Sequence, residues 1–390
     1  MNKQPLFIGI MSGTSCDGID VAIVRFGIKP RMGEKPELVH FSEHAMPAEL
    51  HEPLLRLAAP GINEIDTMGE LDGLLGQAFA EAALKAISAA GLQAPDIAAI
   101  ACHGQTIRHR PRAKQPFTLQ IGSAAVIAEK TGITTISDFR SRDMAAGGEG
   151  APLVPFAHRQ LFASDTQNTA VLNIGGIANI TWLGKGGETT GFDCGPGNML
   201  MDALMLEISD GRNGFDNDGE LAASGKICAA LLQTLMQHPF LQRRPPKSTG
   251  REEFGKDIVQ RILAWPELSD ADRMATSAAF SVRCIADAGK FFAGEVQRWL
   301  ICGGGARNKH LLASIKSQLI PASVATTDET GMPTQAVEAV SFAILAHQTL
   351  CGQNNTLSAV TGAHHDVCGG CITPGDNWPM LLQHMPTWIR

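Results

Sequence analysis

The chain has 390 residues, 44% hydrophobic and 18% charged, which is a globular balance and enough length for two domains of ~100–200 residues each. That apolar content excludes disorder for the bulk of the chain. A net charge of −7 excludes broad electrostatic capture of nucleic acid or anionic membrane, and no apolar run reaches the ~18 residues of a spanning helix. The nine cysteines are odd in number and scattered, which fits reduced thiols in the cytoplasm better than a disulfide framework.

In chain order, residues 6–10 and 19–26 are apolar runs around a Gly/Ser/Thr/Asp turn and predict a β-hairpin. A third strand follows at 38–45. Residues 65–90 carry apolar side chains at helical spacing, with Gly91 as the stop. Residues 97–102 predict a buried strand, 123–130 a helix and 133–136 a strand. The pattern then restarts. Residues 170–174 and 177–183 flank Gly175-Gly176 as a second hairpin, a third strand closes at Phe192, and a helix covers 199–207. A strand at 299–302 runs into three glycines, followed by helices at 308–319 and 335–350.

This hairpin, strand, helix, strand, helix order occurs twice. It predicts an α/β protein of two duplicated domains, each built on a mixed sheet. The expected partition is 1–145 and 146–368, with the tail 369–390 able to return to the first domain. The glycine-rich stretch 147–155 is the expected hinge, and a cleft between the domains is the expected binding site.

Neither G-x4-G-K-[ST] nor G-x-G-x-x-G after a strand is present, so the common P-loop and dinucleotide fingerprints are missing. The first hairpin turn, MSGTSCDG at 11–18, is instead rich in small donors that can close around an anion. Asp17 among those donors suggests a Mg²⁺ between carboxylate and phosphate. The plainer reading is a Ser/Gly turn capped by Asp. The second turn, LNIGGIAN at 172–179, occupies the matching place in the second domain. Two such turns can each hold one end of a polyphosphate, the layout of the actin, hexokinase and acetate kinase superfamily, which the chain resembles. CGGGARN at 302–308 is similar to that superfamily's adenosine motif.

Asp193 in GFDCGPGN ends a strand before a glycine-rich turn, where a carboxylate can act as a general base. Helix capping is the alternative, but Asn198 is better placed for it. HGQT at 103–106 and SDFR at 137–140 follow strands, where open α/β sheets place ligands. Arg140 can pair with a substrate carboxylate, or equally with Asp138 or Asp143. The run 108–110 reads as a solvated face. His364, His365, Cys368 and Cys371 have zinc-like spacing but read more readily as a loop with two thiols. Asp216-Asn217-Asp218-Gly219 does not fit an EF-hand frame.

Together these segments resemble the anhydro-N-acetylmuramic acid kinase family. The resemblance runs in order through MSGTSCDGID, HGQT, DFRSRDMAAGGEGAPLVP, LNIGGIANIT, FDCGPGN, FDNDGELAASG, CGGGARN, EAVSFAILA and LSAVTGA. It implies an actin/hexokinase-like (ribonuclease H-like) bilobal fold. It also implies ATP and Mg²⁺ and a homodimer, while the charge and hydropathy above leave no nucleic-acid or membrane partner expected. The implied reaction opens 1,6-anhydro-N-acetylmuramic acid with water and phosphorylates O6, giving N-acetylmuramic acid 6-phosphate for cell-wall recycling. Asp193 matches the catalytic carboxylate, which would take a proton from the attacking water, and Glu338 matches a second acidic position. Ser12, Gly13, Thr14, Ser15, Cys16, Asp17, Gly18, Ile19 and Asp20 match the ATP-phosphate segment, with Asp17 toward the metal. Gly175, Gly176, Gly303, Gly304, Gly305 and Asn308 complete the nucleotide set. His103, Gln105, Asp138, Arg140 and Glu149 are the expected sugar contacts.

Departures from the family pattern are Cys16 for a larger apolar residue, Cys194 for Thr and Glu149 for Gln. The last of these bears on substrate preference. Another sugar or acyl kinase of the superfamily is the runner-up reading. An actin-like chaperone would need a peptide-binding domain after the ATPase, for which the chain leaves no room. The tail after Gly375 carries no motif and is given no role.

Overall fold

The structure is a computed structural model that describes residues 4–13, 15–27 and 35–389, and the side chains of these except 251, 252 and 386–389. It divides into two compact units, Met1–Leu161 with Ala336–Arg390, and Phe162–Gln335.

In the first unit, β1 (Leu6–Met11) and β2 (Gly18–Arg25) form an antiparallel hairpin, and β3 (Glu37–Ala45) pairs antiparallel with β2. β4 (Ile97–Cys102) lies parallel to β1. β5 (Gln105–Arg110) and β6 (Phe117–Ile121) make a separate hairpin, and β7 (Thr135–Ser137) lies parallel to β4. All six residues of β4 are buried, as expected for a parallel central strand covered on both faces. Ile8, Ile10, Val21, Ile23 and Ile100 form the core with Leu75 and Phe79 of the helix Glu64–Ala89.

The second unit repeats the arrangement. β8 (Thr169–Ile174), β9 (Ile177–Leu183) and β10 (Thr189–Pro196) run antiparallel in succession, then β11 (Arg298–Cys302) and β12 (Ser323–Thr326) add parallel strands. The strand order is β3-β2-β1-β4-β7 in one unit and β10-β9-β8-β11-β12 in the other. In each sheet the third, second, first, fourth and fifth strands therefore lie side by side, as two copies of one duplicated α/β domain would place them. Between β10 and β11 the expected helix is present as Met199–Ile208, and after it the second unit holds helical structure that the sequence reading left blank. Its main helix, Asp270–Asp287, starts at a capping box made by Ser269 and Asp272. The helix Ala48–Leu57 and the β5–β6 hairpin were likewise not anticipated.

The helix Ala336–Leu350 packs on β1, β2 and β4, and so belongs to the first unit rather than to a 146–368 domain. Gly9 makes this possible, since a Cβ there would sit 1.8 Å from the Ala339 carbonyl oxygen. The stretch 147–155, expected as a hinge, lies inside the first unit, and the boundary falls at Leu161/Phe162. β13 (Cys371–Thr373) pairs antiparallel with β7. Asn377 follows it, with Oδ1 accepting from Thr134 N–H at 2.8 Å and Nδ2 donating to Ile97 and Ala98 carbonyls. The segment from 369 thus returns to the first unit, β13 as a sheet edge and Asn377 of the motif-free tail as its tie to β4 and Thr134.

Candidate active site

In the first unit the turn between β1 and β2 is held from below. Ser12 Oγ lies 2.8 Å from Gln105 Oε1 and 2.9 Å from the Gly18 carbonyl, and Gln105 Nε2 donates to the Gly13 carbonyl at 3.1 Å. Ser12 and Gln105 are both buried. Gln105, expected at the sugar, is therefore a strut of the phosphate-type turn, and the Ser12 hydroxyl is spent on the same network. Cys16 takes a left-handed φ of 57° and its side chain joins the core, as does that of Ile19. These two can offer a ligand only backbone. Ser15 and Asp17 are exposed, with Ser15 Oγ donating to Asp17 Oδ1 at 2.6 Å. Asp20 is half-buried and pairs in register with Met11. Thr14 lies outside the described residues.

His103 follows β4 and is buried against Phe342. Its Nδ1 is 2.7 Å from the Gly104 carbonyl, so that nitrogen carries the proton, and Nε2 accepts from Arg140 Nε and Nη2 at 3.2 and 2.9 Å. Burial first, then the Arg140 charge, push the His103 pKa down to about 3. A neutral imidazole thus aims a guanidinium, whose Nη1 also donates to the Gly150 carbonyl. Asp138 has φ 50° and caps Ser141 through Oδ1. Glu149 Oε1 pairs with Arg112 at 3.1 Å, and Glu149 N–H donates to the Thr361 carbonyl. Asp143 is fully buried and accepts from Gly150 N–H and Thr361 Oγ1, tying this segment together. Glu338 is half-buried in the first turn of its helix.

In the second unit the Gly175–Gly176 turn rests on the turn after β10. Gly175 accepts from Asn198 N–H, and Gly176 accepts from Gly197 and Met199 N–H. Asn198 caps nothing with its side chain, contrary to expectation. The three glycines after β11 have separate reasons. Gly303 has φ 80° and would place a Cβ 2.1 Å from Asn173 Oδ1, and Gly305 would meet Ile174. Gly304 has no neighbour within 4 Å of its added Cβ and is exposed. Asn308 caps the helix Lys309–Gln318 by accepting Leu311 N–H at 2.9 Å. Asn173 Oδ1, at the end of β8, is buried with no hydrogen-bond partner.

Asp193 does not end a strand. It sits inside β10 at a bulge between Asp193 and Gly195, a device that re-aims a side chain. Its N–H donates to the Lys247 carbonyl at 3.1 Å, and its Oδ2 accepts Thr249 N–H at 2.8 Å. Sequence reasoning missed both Lys247 and Thr249. The only signal was a polar, glycine-ended run, PPKSTG at 245–250.

Among the described residues, no group of three His, Cys, Asp or Glu is arranged to hold a metal ion. Cys371 lies in β13 with Sγ 4.0 Å from Asp138 Oδ2, while Cys368 Sγ faces the Thr349 carbonyl. Asp216 caps the Leu221 and Ala222 N–H groups. Among the described residues, no helix is long and apolar enough to cross a membrane.

The profile of the anhydro-N-acetylmuramic acid kinase family matches residues 5–375. The chain belongs to that family. A curated anhydro-N-acetylmuramic acid kinase of Caldanaerobacter subterraneus subsp. tengcongensis is 42% identical, over 95% of this chain and 97% of the relative. One of Xanthomonas axonopodis pv. citri is 44% identical over 95% and 98%. Among solved structures, component A of the (R)-2-hydroxyglutaryl-CoA dehydratase of Acidaminococcus fermentans is 15% identical with a TM-score of 0.46, over 87% of this chain and 96% of that one. Scores this low identify no relative.

Proposed function

We propose that the protein is an ATP-dependent kinase of 1,6-anhydro-N-acetylmuramic acid. It opens the anhydro ring with water and phosphorylates O6, giving N-acetylmuramic acid 6-phosphate and ADP for peptidoglycan recycling. The observation that carries the reading is Asp193, set at a strand bulge with its carboxylate oriented by Thr249 N–H, in a chain 42% identical over 95% of its length to a relative of that name.

In this reading Asp193 takes a proton from water as the water oxygen bonds to the anomeric carbon. The anhydro C–O bond breaks, its electron pair stays on O6, and O6 takes the γ-phosphoryl group as the bond to ADP breaks. One base suffices, because phosphorylation replaces the proton that an inverting glycosidase would deliver to the leaving oxygen. Gly13, Ser15, Gly18, Gly175 and Gly176 offer turn backbone and hydroxyl groups to phosphate, Gly304 presents open backbone, and Arg140 takes the sugar's carboxylate. Magnesium in phosphoryl transfer keeps several waters and needs only one or two carboxylates, so the donor set fits, with exposed Asp17 as its holder. Bound there, the ion would neutralise phosphate charge. Nine free cysteines support a reducing, cytoplasmic setting, and the family resemblance supports a homodimer.

The test is ADP release with ATP, Mg²⁺ and 1,6-anhydro-N-acetylmuramic acid in ¹⁸O-water, with early mass analysis of the sugar. One ¹⁸O at the anomeric carbon is expected. Sugar-independent ADP release alone would return the substrate to the runner-up sugar and acyl kinases.

A further inference from the structure

Lys247 is buried in the second unit, at 3% exposure, and among the described residues no acidic side chain forms an ion pair with it. Its Nζ instead lies 4.5 Å from the ring centroid of Phe240, 4.8 Å from Phe291 and 5.6 Å from Phe192. Three aromatic faces around one ammonium form a cation–π cage. A small cavity of about 10 Å³ adjoins it, lined by Lys247, Phe291, Cys194 and Cys284 and large enough for one water. Burial draws the Lys247 pKa down, and it pushes the two facing thiols up, so Cys194 and Cys284 stay neutral and do not serve as counter-ions. The charged groups facing the cage are Asp193 on β10, Asp287 on the helix Asp270–Asp287, and Lys290 just beyond it.

A buried cation without a direct carboxylate partner is costly, and its retention calls for a reason. The backbone supplies one. β10 is the edge strand of its sheet, and the 247–249 segment lies along that edge. Lys247 gives its carbonyl to Asp193 N–H, and two residues later Thr249 gives its N–H to the Asp193 carboxylate. The strap thus grips Asp193 by main chain and side chain at once.

We propose that Lys247 is a positioning residue: its caged ammonium pins the 247–249 strap, and the strap fixes the direction of the Asp193 carboxylate. The proposal rests on Asp193 being the base of the reaction proposed above. The Lys247 ammonium and the Asp193 carboxylate also attract each other, and that attraction favours the charged form of both groups.

The experiment compares wild type, Lys247→Met and Asp193→Asn with ATP, Mg²⁺ and the anhydro sugar, reading kcat, KM for ATP and the acid limb of the kcat–pH profile. Met keeps the stem and removes the charge. The expected result for Lys247→Met is a fall in kcat of about tenfold or more, a KM for ATP within about twofold of wild type, and an acid limb displaced to higher pH. A kcat within about twofold of wild type overturns the proposal. So does a lower kcat with an unmoved acid limb, or a KM for ATP that rises in step with the loss, because packing damage alone gives those results. If Lys247→Met does not fold, Phe291→Leu replaces it. That variant removes one wall of the cage and should move kcat and the acid limb in the same directions, and no change in either overturns the proposal. Asp193→Asn separates the two failures. Substantial turnover in that variant removes the base assignment itself, whereas an inactive Asp193→Asn beside an unaffected Lys247→Met removes only the role of Lys247.

Discussion

His103 makes the first unit acid-sensitive by an amount that can be worked out. In the folded chain its imidazole stays neutral down to about pH 3, because it is buried and accepts from Arg140. In the unfolded chain it titrates near 6.5. Between these values the unfolded state binds more protons, so stability is fully present above pH 6.5 and is lost as pH falls toward 3. Summed from pH 7 to pH 5, this one group removes about 2 kcal/mol. Half-buried His109 and buried His158 and His347 are depressed in the same direction, so the whole protein loses more. The variant His103→Gln cancels only the His103 share, since Gln can still accept from Arg140 but does not titrate. The assay is urea unfolding at pH 7 and pH 5, read by hydrogen exchange of the β4 amides, which belong to this unit. The wild type should lose about 2 kcal/mol more than His103→Gln over that interval. Equal losses, within about 0.5 kcal/mol, would mean that His103 is not a neutral acceptor, and the account of how Arg140 is aimed would fall.

Asp193→Asn should keep ATP binding and lose at least about a hundredfold in kcat, checked by calorimetry and the ADP-release assay. Near-normal turnover refutes the base assignment. Gly9→Ala forces a methyl to 1.8 Å from the Ala339 carbonyl and should cost the first unit about 3 kcal/mol or more, read as a lower urea midpoint. A change below about 1 kcal/mol would mean that the helix Ala336–Leu350 is not seated on β1 as described. Gln105→Ala removes the strut under the 12–18 turn, so KM for ATP should rise about tenfold with a smaller effect on kcat. If the anhydro sugar's KM moves instead, Gln105 touches the sugar after all.

Hairpins, central strands and long helices were legible because their signals are local. The apolar runs 6–10 and 19–26 around a small-residue turn, and the unbroken apolar run of β4, encode their own pairing and burial. The region 209–297 was not legible. Apart from Asp270–Asp287 its helices are short, and much of their apolar surface is spent on one another and on the sheet. The partition 1–145 and 146–368 also differs from the compact units. Chain order says nothing of the return of Ala336–Leu350 to β1, which depends on a single missing Cβ at Gly9.

The sequence by itself determined the types of chemistry: small-residue turns for phosphate, a carboxylate beside glycines, and an arginine after a strand. These follow from side-chain identity and from spacing within a few residues. Only the tertiary structure decided which of those groups are free to act. It committed Ser12 and Gln105 to each other, turned Cys16 and Ile19 into the core, and made His103 the support of Arg140. It also brought Lys247 and Thr249 against Asp193, across a gap of more than fifty residues. The physical reason is that hydrogen-bond partners and burial are properties of neighbours in space. For these residues the neighbours come from distant parts of the chain.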